Sequence, residues 1–213
     1  MKSKYKNFTD EQTAPNRHKP KKPHPVGNIR IIAGKWRSRK INVIDQEGLR
    51  PTTNRVKETV FNWLQPDLQD ARVLDVFSGT GSLGLEALSR GAQFCHFNEL
   101  TAPATNMLKQ NIESLDAMGD CKVSSQDAQS LLAINADLPM DIVFLDPPFD
   151  LDIYQICFER LESNNWVKEG SLVYCESARR MDIEVPSHWE VLKEKKAGQV
   201  CCRLFEVRLK TQQ

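Results

Sequence analysis

Val73-Leu74-Asp75-Val76-Phe77-Ser78-Gly79-Thr80-Gly81-Ser82-Leu83-Gly84 carries the spacing G-x-G-x-x-G between an apolar run and an amphipathic one. The run Arg72–Phe77 reads as a buried strand and Leu83–Arg90 as a helix, so the glycines fall on a strand-to-helix turn. In that context Gly79 and Gly81 let the backbone turn tightly and approach a ligand, and Gly84 lets the helix lie near the strand. Ser78 and Thr80 belong to the same loop. The expected fold begins here, as a βα unit built around a nucleotide-type cofactor.

Working outward, Gln93–Asn98 reads as the next strand and Thr101–Leu115 as the next helix, the alternation that builds a parallel sheet. Glu99 closes that second strand twenty residues after Gly79, where a carboxylate can accept two hydrogen bonds from a ribose diol. NAD and S-adenosylmethionine share that diol, so loop and acid together leave the two cofactors open. Asp75 favours the second: a carboxylate beside the loop would oppose a pyrophosphate but could hold, directly or through water, the donor's ammonium group. Cys121–Ser124 is a short third strand, and Asp127 just beyond it suits either an adenine amino group or the cap of a helix over 128–133.

The pattern continues with a strand at Met140–Asp146, a helix at Leu151–Glu162 and a strand at Gly170–Glu176, and ends with Trp189–Lys196 and Val200–Leu209 joined through Ala197-Gly198-Gln199, an antiparallel hairpin for one sheet edge. The expected architecture is therefore α/β, Rossmann-like, with a mostly parallel seven-stranded sheet and a C-terminal antiparallel hairpin. Ahead of the sheet, Ile29–Val43 reads as a small hairpin. Thr52-Thr53-Asn54 can cap a helix in which Val56, Val60, Trp63 and Leu64 fall on or near one face and which closes at Pro66. Residues 1–28 form a Lys/Pro-rich tail, 29–71 an N-terminal hairpin and helix, and 72–213 the main domain.

Asp146-Pro147-Pro148-Phe149 ends the most apolar strand. Two prolines lock φ and remove two backbone donors, which frees nearby carbonyls to face a cleft at the strand's carboxyl end. That corner suits the exocyclic amino group of a nucleic-acid base. The lone pair of such a nitrogen is delocalised into the ring. Hydrogen bonds to the Asp146 carboxylate and the Pro147 carbonyl would aim it, favour pyramidal geometry and stabilise the charge that develops on attack. Phe149 can stack on the base, a contact of roughly 1–3 kcal/mol.

Charge supports such a partner. Of a formal net charge of +1, residues 1–40 hold twelve Lys and Arg against two acids, which leaves the other 173 residues at −9. A basic arm on an acidic body is what a polyanion binder uses. The six cysteines include no C-x-x-C pair and sit mostly in apolar runs, which points to thiols of a reducing cytosol. No apolar run approaches a membrane span and no secretory leader is visible, so a cytoplasmic protein without membrane contact or metal is expected.

These residues resemble the class I amino-methyltransferases that bear D/N-P-P-Y/F. More closely, they resemble the bacterial 16S rRNA guanine-N2 methyltransferases acting on guanine 966 of the small subunit. The likeness covers about residues 29–209 and rests on Arg30-Ile31-Ile32-Ala33-Gly34-Lys35-Trp36-Arg37, Leu49-Arg50-Pro51-Thr52-Thr53, the loop at 75–84, Asp146–Phe149 and Ala197-Gly198-Gln199-Val200. It implies S-adenosylmethionine as methyl donor, held by Asp75, Ser78, Gly79, Thr80, Gly81, Gly84, Glu99 and Asp127. Asp146, Pro147, Pro148 and Phe149 would meet the target base, and Arg30, Lys35, Arg37 and Arg39 the backbone of 16S rRNA, by itself or within an assembling subunit. A monomer is expected. Asn98-Glu99-Leu100-Thr101 lacks the acid often found two places after the ribose-binding one, and the first 28 residues have no counterpart in the family. Three other readings stay open at this point: N6-adenine or N4-cytosine methylation of DNA, an NAD-dependent oxidoreductase, and a non-catalytic RNA-binding assembly factor.

Overall fold

The strands that follow residues 71 and 139 become neighbours at the centre of the molecule, and everything else is arranged around that pairing. A computed structural model describes residues 27–44, 54–148 and 152–208. In chain order it contains β1 (Gly27–Arg30), β2 (Lys40–Val43), α1 (Asn54–Leu64), β3 (Arg72–Asp75), α2 (Ser82–Ser89), β4 (Phe94–Asn98), α3 (Ala102–Ser114), β5 (Cys121–Ser124), α4 (Ala128–Leu132), β6 (Met140–Leu145), α5 (Tyr154–Ser163), β7 (Val167–Ala178), β8 (Glu190–Ala197) and β9 (Val200–Glu206). The main sheet has the order β5-β4-β3-β6-β7-β9-β8. It is parallel up to β7, and β9 runs antiparallel to both β7 and β8. The expected α/β sheet with its C-terminal hairpin is thus the observed one.

Element limits differ from expectation where local geometry intervenes. The strand expected at Gly170–Glu176 is extended to Val167–Ala178: Val167 pairs with Met140, and an irregular register before Ile142 absorbs the offset. The helix expected from Leu151 starts at Tyr154. Most of the Thr52-Thr53-Asn54 cap, and Leu209, lie outside the described residues. No helix among the described residues is long and apolar enough to cross a membrane.

Side chains alternate across the sheet and feed two cores. One gathers Val73, Ile142, Phe144, Tyr174 and Leu204 under α1, α2 and α3; the other gathers Leu74, Val143, Leu145, Val173 and Phe205 under α4 and α5. The first core also takes in Ile31, Trp36 and Ile41 of the N-terminal hairpin, together with Val60, Phe61 and Leu64 of α1. Apolar burial attaches the hairpin to the sheet, and buried polar groups then fix its position.

Glu86 of α2 is fully buried. Its carboxylate accepts the backbone N–H groups of Ile32 (2.8 Å) and Ala33 (3.0 Å) and pairs with Lys57 (3.2 Å) and Arg90 (2.8 Å). Burial pulls the Lys57 ammonium below its ordinary pKa, opposed by the Glu86 carboxylate. One turn on, the Ser89 hydroxyl donates to Ala33 O (2.6 Å) and accepts from Trp36 N (3.0 Å), while Ser89 O accepts from Lys35 N (2.7 Å). The last turn of α2 therefore satisfies the amides of the half-buried Ile32 and Ala33, the exposed Lys35 and the buried Trp36. On α3, the Asn111 amide pairs with Asn42 as a second strand would, accepting from its N–H and donating to its carbonyl, both at 2.9 Å.

Candidate active site

β3 pairs with β4 on one side and β6 on the other, so the chain leaves β3 where the order of strands reverses. A crevice opens at such a reversal, at the carboxyl ends of the strands. Beyond Asp75 the backbone stays tied to both neighbours, Val76 N donating to Phe144 O (3.1 Å) and Ser78 N to Asn98 O (2.9 Å). The Ser78 hydroxyl donates to Asp75 O (2.8 Å) and accepts from Asn98 N (3.0 Å). Ser78 is therefore the staple that sets where the loop departs.

Gly81 begins α2 with φ +94°, a left-handed conformation other residues adopt at a cost. A Cβ at Gly84 would lie 2.2 Å from Phe97 Cε1. Its absence lets α2 rest directly on β4, as expected of the third glycine. Asp75, only 2% exposed, sits beneath the loop and accepts from Gly84 N (3.0 Å). It holds the first turn of the helix from below. Burial raises its pKa to about 7; the Gly84 amide opposes that rise and the charge of Glu99 adds to it.

Glu99 closes β4 and braces the loop from the side. Oε2 accepts from Gly79 N (3.0 Å), while Oε1 accepts from Thr101 N (2.8 Å) and Thr101 Oγ1 (2.7 Å). The residue two places after the acid is thus a hydroxyl donor to it rather than a second carboxylate. Asp127 is exposed and caps α4, its Oδ1 accepting from Ser130 N (3.1 Å), so of the two roles left open the structure displays the cap. The loop carbonyl Thr80 O accepts from Asn111.

Asn98 was not singled out from sequence, yet its amide ties three strand ends together, donating to Val76 O (3.2 Å) and Gln126 O (3.1 Å). A polar residue closing an apolar strand just before the acid was the available signal. Asn98 Oδ1 and Ser82 Oγ are buried without a hydrogen-bond partner among the described residues. A buried carboxylate with a raised pKa, a second carboxylate at the next strand tip and two unsatisfied polar atoms around one glycine loop suit an amino-acid-bearing nucleoside, whose ammonium and hydroxyls supply complementary groups.

β6 brings the second half of the site. Its register sets Phe144 opposite Asp75, so Asp146 leaves the sheet immediately beside the loop. Asp146 is half-buried, Pro147 buried and Pro148 exposed; Phe149 lies outside the described residues. On the far side β7 places Tyr174 opposite Phe144 and Cys175 opposite Leu145, which brings Glu176 alongside Asp146. Glu176 is buried. It accepts the Tyr174 hydroxyl on Oε2 (2.8 Å), and its carbonyl accepts the Tyr154 hydroxyl (3.0 Å). Burial above all keeps the Tyr174 hydroxyl protonated far beyond its usual range, with the charges of Glu176 and Asp146 adding to it. Glu176 also escaped the sequence reading, although like Glu99 it closes an apolar run.

The four basic hairpin residues lie on one segment but are not equally available. Lys35 pairs with Asp120 (3.1 Å) and lies over the Trp36 ring (4.4 Å). Arg39 donates to Ser114 O (2.7 Å) and Arg30 to Ser38 O (3.4 Å). The exposed Arg37 side chain has no partner among the described residues.

The profile of the family described as conserved hypothetical protein 95 matches residues 29–206. Ribosomal RNA small subunit methyltransferase D of Haemophilus influenzae is 43% identical over 186 residues, 86% of this chain and 96% of that protein. The protein of that name in Escherichia coli K12 is 44% identical over 189 residues, 87% and 94%. The solved structure of yhhF from Escherichia coli superposes with a TM-score of 0.78 at 42% identity, covering 84% of this chain and 98% of that one. A glycine-loop crevice at the strand reversal, the D-P-P corner beside it and likeness along nearly the whole length of these relatives make this chain a member of the conserved hypothetical protein 95 family, with the class I methyltransferase fold of its ribosomal RNA small subunit methyltransferase D relatives.

Proposed function

We propose that the chain transfers a methyl group from S-adenosylmethionine to the exocyclic N2 of a guanine in 16S rRNA, guanine 966 being the position the resemblance implies, during assembly of the small subunit. The observation that supports this reading is the register of β3 against β6, Asp75 opposite Phe144, which sets the glycine loop and the Asp146-Pro147-Pro148 corner on adjacent strand ends. The relatives' names supply the class of substrate.

On this reading Asp75, Ser78, Gly79, Thr80, Gly81, Gly84, Glu99 and Asp127 surround the donor. S-adenosylmethionine, when bound, supplies a methyl group already activated by its sulfonium charge. What remains for the protein is alignment and exclusion of water. Asp146 and the Pro147 carbonyl accept the two amino hydrogens and orient the nitrogen lone pair, Phe149 stacks on the base, and Pro148 stiffens the corner. Asp146 stabilises the positive charge that develops on nitrogen and takes up a proton only after transfer, so no strong base is needed. Residues 29–71 present the RNA, Arg37 foremost, to a catalytic body formed by 72–213.

The test is nucleoside mass spectrometry with site mapping of small-subunit rRNA from cells lacking the chain. Loss of one N2-methylguanosine is expected, restored by the wild-type chain and not by Asp146→Ala. Loss of a different modified nucleoside, or restoration by Asp146→Ala, overturns the proposal.

A further inference from the structure

The proline corner clamps an amino group, and guanine, adenine and cytosine all carry one. Something else must recognise the ring beside it. Phe144 and Tyr174 stand opposite each other on β6 and β7, share one core and meet edge to face with ring centroids 6.1 Å apart. Side chains two residues further along each strand emerge on the same face. Those residues are Glu176, still within β7, and Asp146, the first residue past β6, and the charges of both carboxylates act on the Tyr174 hydroxyl.

Glu176 is 5% exposed, and no cation contacts it among the described residues. The Tyr174 hydroxyl occupies one of its oxygens, and the Tyr154 hydroxyl holds its backbone (3.0 Å). A buried carboxylate fixed in this way, with acceptor capacity left over, is costly unless a donor comes to it. On its Watson–Crick edge guanine carries a ring N1–H next to the N2 amino group, three N–H donors in a row. Adenine and cytosine present a ring-nitrogen lone pair at the corresponding place, which would face the carboxylate lone pairs.

We infer that Glu176 is the base-selecting residue of the site: its carboxylate accepts the N1–H of the target guanine while Asp146 and the Pro147 carbonyl accept the N2 amino hydrogens. This rests on the guanine-N2 reading above and adds the contact that separates guanine from the other amino-bearing bases. Sites built to accept a substrate N–H reject analogues lacking it, because a buried polar group is then left unpaired.

The experiment compares small-subunit rRNA carrying guanine or 2-aminopurine at the methylated position. 2-Aminopurine keeps the N2 amino group but has no N1–H. The wild-type chain is expected to prefer guanine by about 100-fold in kcat/KM, the scale of one charge-assisted hydrogen bond. Glu176→Gln keeps the shape and an oxygen for Tyr174, but can turn an amide N–H toward N1. It is expected to lose about 100-fold on guanine and little on 2-aminopurine, so the preference collapses, while S-adenosylhomocysteine binds within about twofold of wild type. Equal losses on both bases, or no loss, overturn the role of Glu176 and leave the guanine reading intact. A wild-type product other than N2-methylguanine overturns that reading and this one with it. If Glu176→Gln fails to bind S-adenosylhomocysteine, the wild-type comparison decides: use of 2-aminopurine within about threefold of guanine overturns the proposal.

Discussion

Removing the Glu86 carboxylate with Glu86→Ala should detach the N-terminal hairpin from the sheet. The side chain is fully buried and meets four groups: the Ile32 and Ala33 amides at 2.8 and 3.0 Å, Lys57 at 3.2 Å and Arg90 at 2.8 Å. Taking one partner from a buried ion pair costs about 3–5 kcal/mol, because the other charge stays behind. Each half-buried amide left unpaired adds up to about 1–3 kcal/mol. These losses overlap, since the hairpin can lift and let water reach all of them, and Arg90 keeps Gln65 and the Phe61 ring. A net loss of about 4–6 kcal/mol follows, a large part of the ~5–15 kcal/mol that holds a domain together. For a chain of this size that lowers Tm by roughly 8–24 °C. Thermal melts followed by circular dichroism measure the shift, and hydrogen exchange over residues 29–41 should show that protection is lost first there. Adding Lys57→Met should recover part of the loss by removing the stranded ammonium. A Tm drop below about 4 °C with unchanged exchange in the hairpin would refute the reasoning.

Donor binding should be linked to a proton on Asp75. Its pKa is about 7 in the folded chain against an ordinary 3.8, with burial the main cause. Between those values the folded chain retains a proton that the unfolded chain has lost, so this group makes stability fall as pH rises from about 4 to 7. An ammonium group nearby favours the carboxylate. Affinity for S-adenosylhomocysteine should therefore rise by up to about tenfold per pH unit below pH 7 and level off above it. Calorimetry in buffers of different ionisation enthalpy should show proton release below pH 7 and none for Asp75→Asn; a flat profile in wild type would exclude the linkage. For the hairpin, Arg37→Ala should weaken binding to small-subunit rRNA and reduce the slope of log K against log salt by about one phosphate contact. An unchanged slope would remove Arg37 from the interface.

The central βα unit was legible because its signals are local: a run of Val73-Leu74, a change of hydrophobic period after the glycines, and an acid where the next strand ends. Strand pairing followed, since the alternation of strands and helices admits few topologies. Tertiary contacts were not legible. Lys57 sits among polar residues of α1 and reads as a solvent-facing lysine until Glu86, 29 residues away, is folded against it. Lys35 and Arg39 read as free charges for RNA, yet one is paired by Asp120 and the other by the carboxyl end of α3. Glu176 looked like the last residue of a strand, and only the register with β6 puts it beside Asp146. Asp127 illustrates a different limit, because capping and ligand contact require the same residue at the same place.

The two ends of α2 give the proposed reaction its geometry. The first turn is held by Asp75 beneath the glycine loop; the last turn, through Glu86 and Ser89, grips the hairpin that carries Arg37. Asn111 makes the same connection from α3. Its Nδ2 donates to Asn42 O in the hairpin and to Thr80 O in the loop, both at 2.9 Å, and its Oδ1 accepts from Asn42 N. Methyl transfer in line demands that nitrogen and sulfonium be aligned closely, and a misplacement of about 1 Å can cost a hundredfold in rate. RNA held at Arg37 and a donor held at Gly79–Gly81 would be positioned against the same two helices. On the proposed function, the buried ion pairs of Glu86 would serve alignment as well as stability, because they hold a short basic segment with little core of its own against the helix that follows the glycine loop.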